Sequence, residues 1–142
     1  LKLNLNFDLI MSIHTLCCFK KIEYPLKFMC SFKSKWIAIN SLFYDGPLDV
    51  LIHIREHNNL LNDDNNVDSD FNIFSIQHTK KILKKYGYKI IKIKSFFPRK
   101  KIPKPKKNIR GSYTAKTEFN KYSTFSGPVY LPWHFIIAKR LS

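Results

Sequence analysis

One change of rhythm constrains this chain more than any other feature. Across residues 72–97 (NIFSIQHTKKILKKYGYKIIKIKSFF), Ile76, Thr79, Ile82, Leu83 and Tyr86 recur at helical spacing and make one mostly apolar face. Ser75 stands where an N-cap oxygen satisfies the first orphan amides. Lys84 and Lys85 fall in the last turn, at the negative end of the helix dipole, and Gly87 supplies a left-handed stop. Beyond Gly87 the period becomes two: Ile91, Ile93 and Phe97 point one way, Lys92 and Lys94 the other. A helix, one glycine and a strand form the αβ half of a crossover unit, beside which the other segments are expected to pack as strands.

The preceding chain supplies candidate strands. FDLIMSIH is dense enough in apolar residues to be covered on both faces, as in a parallel sheet, and it ends in polar residues at Ser12–Thr15. The carboxyl edge of such a sheet is where ligands bind. IEYPLKFMCSF (22–32) predicts a helix with Pro25 in its first turn, and WIAINSLF (36–43) a second strand. After the Asp45-Gly46-Pro47 turn, alternation at Leu48, Val50, Ile52 and Ile54 predicts a β-extension. Residues 57–71 read as a polar loop. Its Asp64, Asn66, Asp68 and Asp70 hint at calcium, but Ser69 stands where the turn glycine belongs and Ser75 where the closing glutamate belongs, so an EF-hand is excluded.

Residues 98–109, which include PRKKIPKPKK, read as an extended proline- and lysine-rich connector. Alternation at Tyr113, Ala115, Thr117 and Phe119, and again at Tyr122 and Thr124, predicts a β-hairpin turning at Asn120-Lys121. WHFIIAK (133–139) is a final strand. The 142 residues suit one domain, and 44% hydrophobic content suits a packed core.

Charge and cysteines bound the partners. The formal charge of +15 favours anionic partners such as nucleic acid, phosphate or an acidic membrane surface. Richness in Lys, Asn and Ile equally fits an AT-rich coding sequence with lysines solvating the surface. Cys17, Cys18 and Cys30 lack paired metal-ligand spacing and read as buried, reduced thiols of a cytoplasmic protein. No apolar run is long enough to span a membrane, and Asp8 interrupts the only stretch resembling a signal peptide. The first residue is Leu, which suggests a partial sequence or an unusual start codon.

Three pieces carry a family likeness. FDLIMSIHTL resembles the fourth strand and active-site turn of class I S-adenosylmethionine-dependent methyltransferases. ILKKYGYKIIKI resembles their last helix, Gly-aromatic step and sixth strand, and WHFIIAKR their closing antiparallel strand. RGSYTAKTEF and FSGPVYLPWHFIIAK also resemble methyltransferases found among bacterial surface-sugar and flagellar-glycan genes. The resemblance implies the carboxyl-terminal half of such an enzyme. The fold would be α/β, a partial Rossmann-like sheet of parallel strands with an antiparallel last strand and a β-hairpin extension. The family's glycine-rich cofactor turn has no counterpart, because Gly46, Gly87, Gly111 and Gly127 stand singly. A fragment is therefore expected, inactive alone and in need of its amino-terminal half or a partner chain.

By that resemblance, Ser12, Ile13 and Thr15 would border the cofactor, S-adenosylmethionine. His14 would be the base, since imidazole exchanges protons near neutrality. Asn40 and Tyr44 would face the same crevice. The acceptor would be a small molecule or a saccharide. Arg110, Tyr113 and Trp133 could hold an anionic sugar, a phosphate or a stacked base. His53, His57, His78 and His134 show no metal spacing and read as structural. The stretch from Lys80 to Arg110 has many cations and no Asp or Glu. It leaves a basic nucleic-acid-binding module or RNA methyltransferase as one alternative. A non-catalytic remnant that associates through its sheet edge is another.

Overall fold

The computed structural model describes residues 7–56, 67–106, 110–117 and 121–141. The main sheet contains β1 (Leu9–Ile13), β2 (Trp36–Tyr44), β6 (Tyr88–Ser95) and β10 (Trp133–Arg140), in the order β1-β2-β10-β6. β1 lies parallel to β2, with Leu9 opposite Trp36 and Ile13 opposite Asn40. β10 runs antiparallel to both β2 and β6. The short β5 (Phe74–Ser75) extends β2 in parallel. Two small antiparallel sheets complete the chain. One pairs β3 (His53–Glu56) with β4 (Val67–Asp70), and the other joins β7 (Ser112–Lys116), β8 (Tyr122–Ser126) and β9 (Val129–Tyr130).

The side-by-side, same-direction pairing expected of the first two strands is present. The expected fold class is not. The chain is mostly β, 44% strand against 19% helix, with two helices, a mixed main sheet and antiparallel satellites, rather than a Rossmann-like α/β sheet of parallel strands. The reason lies in the connections. Parallel neighbours need long crossovers, whereas antiparallel ones need only turns. The helices α1 (Glu23–Ser31) and α2 (Ile76–Lys85) occupy two connections, and the second half of the chain turns back on itself. The Gly127-Pro128 turn, with Gly127 at φ +55°, folds β9 onto β8, and β10 then returns against two neighbours at once.

The helix–glycine–strand unit forms as its residues dictate. Ser75 Oγ accepts from His78 N at 3.1 Å, and Ile76, Thr79, Ile82 and Leu83 are buried. Gly87 adopts φ +79°, a conformation a Cβ would strain. α1 and α2 share one face of the sheet. There Leu26, Met29, Ile82 and Leu83 close over Ile37, Ile39, Phe43, Ile136 and Ala138. Tyr88 is buried in the same layer, its hydroxyl donating to Ser34 O at 2.7 Å.

Three smaller readings change. The polar loop contains strand β4, because Asp68 and Asp70 pair across to Arg55 and His53. Asp64, Asn66 and His57 lie outside the described residues, as does the expected hairpin turn at Asn120. The alternation in β6 slips at a bulge opposite Ile137 and Ala138 that leaves Ile91 unpaired and exposed, while Ile93, in register with Ile136, is exposed as well. Cys18 is exposed, while Cys17 and Cys30 are buried. Among the described residues no helix is long and apolar enough to cross a membrane.

Candidate functional site

β1 stops opposite Asn40 while β2 runs on to Tyr44, and the chain leaves β1 through a strained residue. His14 has φ +56°, a left-handed conformation uncommon outside glycine and concentrated at functional positions. Three contacts hold it there, the weakest being Cys17 Sγ, which donates to its backbone O at 3.6 Å. The His14 backbone N donates to Asn40 O at 2.9 Å, continuing the ladder one residue past β1. Its imidazole stacks on the Trp133 indole, centroids 4.2 Å apart and planes inclined 28°. Trp133 is itself anchored in a cluster with Cys17, Leu42 and Leu131. Asn40 is buried, and its amide donates to His134 O at 3.1 Å, tying β2 to β10 beneath the stack.

The ring nitrogens separate the histidines. His134 Nδ1 donates to Pro132 O at 2.9 Å, and its Nε2 pairs with Ser95 Oγ at 3.1 Å, so both ring nitrogens are engaged. His78 lies between Asp49 and Glu23, and His53 between Asp70 and Asp68. His14 alone, among the described residues, has ring nitrogens without a hydrogen-bond partner. It can therefore take a proton from a bound molecule without first breaking a contact.

Tyr44 closes β2 beside this edge. Its ring lies against Gly46, where an added Cβ would come within 2.2 Å of a ring carbon, so only glycine permits that approach. Tyr44, Phe96, Phe97, Trp133 and His134 line a cleft of about 250 Å³. Phe96 and Phe97 were not anticipated as lining. Their apolar pairing after a lysine-rich strand was the available signal.

Ser12, Ile13 and Thr15 make a poor cofactor site by themselves. Ser12 is half-buried in the ladder opposite Ile39, Ile13 is exposed, and Thr15 Oγ1 donates back to Ile13 O at 2.9 Å. None of the three lines the cleft beside Trp133 or the recess at Arg110, and no glycine stands near them in the chain to let the backbone approach a nucleoside. These residues do not fit S-adenosylmethionine unaided.

Arg110 and Tyr113 belong elsewhere. Both line a recess of about 210 Å³ with Lys104, Gly111 and Gly127, separate from the residues around Trp133. Arg110 donates to Ser69 at 3.0 Å and lies over the Phe71 ring. Tyr113 donates to Gly127 O at 3.0 Å and stacks on Phe125. The sequence suggested one aromatic–arginine site; the fold divides it in two.

The molecule is thus a mostly β domain with a histidine–tryptophan pair where the first of two parallel strands ends. No protein-family model and no curated protein matches the chain.

Proposed function

We propose that this chain supplies the acceptor side of a methyltransferase that uses S-adenosylmethionine and acts on a small-molecule or saccharide acceptor. The observation that carries the reading is His14, held in a left-handed turn at the end of the first strand of a parallel pair, stacked on Trp133 with its ring nitrogens unengaged. Methylating a hydroxyl or amine releases a proton, and a positioned imidazole can accept it. Trp133 fixes the plane of the imidazole. Trp133 also lines the cleft walled by Tyr44, Phe96 and Phe97, so an acceptor seated there would have to reach past the indole to meet His14.

The cofactor must be bound elsewhere in the working assembly, because Ser12, Ile13 and Thr15 do not cradle it. A further polypeptide segment or partner chain, carrying a glycine-rich turn, fits this need. The outer edge of β1 has no neighbouring strand among the described residues, and Met11 and Ile13 beside it are exposed. Both are suited to such a partner.

The test is transfer of tritium from methyl-labelled S-adenosylmethionine to small-molecule and sugar pools, using the tagged chain isolated with its native companions. Label is expected in one of these pools. His14→Asn, which tolerates the left-handed turn but cannot serve as base, should lower it roughly a hundredfold. An unlabelled wild-type reaction in every pool refutes the reading. Calorimetry of the isolated chain with S-adenosylmethionine should be flat, and saturating heat would remove the need for a partner.

A further inference from the structure

The lysine- and proline-rich segment after β6 is not a free linker. Ile102 N donates to Thr114 Oγ1 at 2.8 Å, and Thr114 N donates to Ile102 O at 3.0 Å. These bonds hold the chain at Ile102 against β7 and make residues 101–104 one wall of a cleft. The cleft has a volume of about 510 Å³ and is lined by Lys101, Pro103, Lys104, Tyr113, Lys116 and Tyr122, among others. It shares Lys104 and Tyr113 with the Arg110 recess, so the two form one groove. Neither lining contains an Asp or a Glu.

The groove's chemistry is aromatic and cationic together. Lys104 Nζ lies 5.2 Å from the Tyr113 ring centroid. That ring is fixed from behind by its stack on Phe125, 5.6 Å between centroids, and by its hydroxyl bond to Gly127. Lys101, Lys104 and Lys116 are exposed, with no salt bridge to a carboxylate among the described residues. Lys104 covers the Tyr113 ring in the free protein, and a base that takes its place there releases the ammonium to a phosphate, with the other cations along the groove suited to successive phosphates. A neutral saccharide would need uncommitted neutral hydrogen-bonding groups beside the ring. Here the Thr114 hydroxyl is already committed to Ile102.

We propose that the groove between residues 101–104 and the β7–β8 hairpin binds single-stranded nucleic acid, with bases against Tyr113 and Tyr122 and phosphates against Lys101, Lys104 and Lys116. This site is distinct from the His14 edge and does not depend on methyl transfer.

Fluorescence anisotropy of the full chain with labelled dT15 and rU15, without S-adenosylmethionine, tests it. Three phosphate contacts imply an affinity loss of about twentyfold between 50 and 200 mM salt. Lys104→Glu should weaken binding and lower the salt slope. Tyr113→Ala should weaken it roughly tenfold with the slope unchanged. Tyr113→Phe should retain most of the affinity, which controls for folding of the hairpin. Lys80→Ala and Lys84→Ala, on the outer face of α2, should change little. Three results would overturn the proposal. One is no binding at 50 mM salt. Another is equal losses from the α2 and groove variants, which would mean diffuse charge attraction. The third is an anionic oligosaccharide bound more tightly than either oligonucleotide with the same dependence on Tyr113.

Discussion

The two faces of the main sheet are built from the same four strands and end differently. On one face, Ile37, Ile39, Phe43, Ile136 and Ala138 are sealed beneath α1 and α2. The register places Met11, Ala38 and Ile137 in one row on the other face, and Ile13, Asn40 and Phe135 in the next. Among the described residues, the cluster around Leu42, Leu131 and Trp133 covers the carboxyl end of that face. Met11 is 59% exposed, Ile13 57% and Phe135 41%. Lys92 and Lys94 of β6 stand opposite Ile137 and Phe135 and continue the two rows as cations. The chain therefore carries more apolar sheet surface than its own described elements cover. Both faces were composed for burial, and one has been given its cover.

Substitution should separate the faces most strongly at their centres. Phe43 is fully buried under the helices, and Phe43→Ala should cost about 4 kcal/mol by lost transfer energy and cavity formation. Met11→Ala on the bare face should cost under about 0.5 kcal/mol. Equal costs in denaturant titrations would mean that the bare face is covered in solution.

The two buried thiols extend the contrast to pH. Burial pushes Cys30, in the helix-covered layer, from 9.0 to about 11. Burial first, and Cys18 beside it second, push Cys17 to about 11. Both values are raised in the folded state, so the contribution is complete below pH 9 and is lost as pH rises toward 11. There the unfolded chain gives up protons that the folded chain retains. Each thiol should account for about 2 kcal/mol of that loss. In Cys30→Ala, the decline in stability between pH 9 and 11 should shrink by this amount, and an unchanged decline would place Cys30 in water.

The next effect sits at the start of α2. Ser75 accepts from His78 N and donates to Gly46 O, joining the helix to the turn after β2. Ser75→Ala should lower stability by about 1 kcal/mol in thermal melts. No change would mean that the helix does not depend on this cap.

Legibility followed the range of the interactions. α2, Gly87 and β6 were readable because the cap, the period and the stop are local, and the β7–β8 hairpin because alternation survives on both arms. The strand nature of 67–70 was hidden, since Asp68 and Asp70 disfavour strands until Arg55 and His53 stand opposite them. His14 was picked out as a polar strand end. Its stack on Trp133, far along the chain, has no local signature, nor does the division of Arg110 and Tyr113 from Trp133. The density of apolar residues in FDLIMSIH showed that β1 is apolar on both faces. It cannot say whether the chain supplies a layer for each, and that gap produced the wrong fold class.

The smallest expected change in stability tests the bare face most directly. Met11→Lys should shift stability by less than about 0.5 kcal/mol, because an exposed side chain gives up little burial and lysine's stem lies well on apolar surface. It should nevertheless reduce self-association, since a contiguous apolar patch beside an open strand edge is a surface that pairs. Sedimentation velocity at equal concentration reads the difference. If wild type and Met11→Lys are both monomeric at every concentration, the patch is too small or too well screened by Lys92 and Lys94 to recruit a partner. If Met11→Lys unfolds the chain, the face is occupied by the chain itself, and the two sides of the sheet are alike after all.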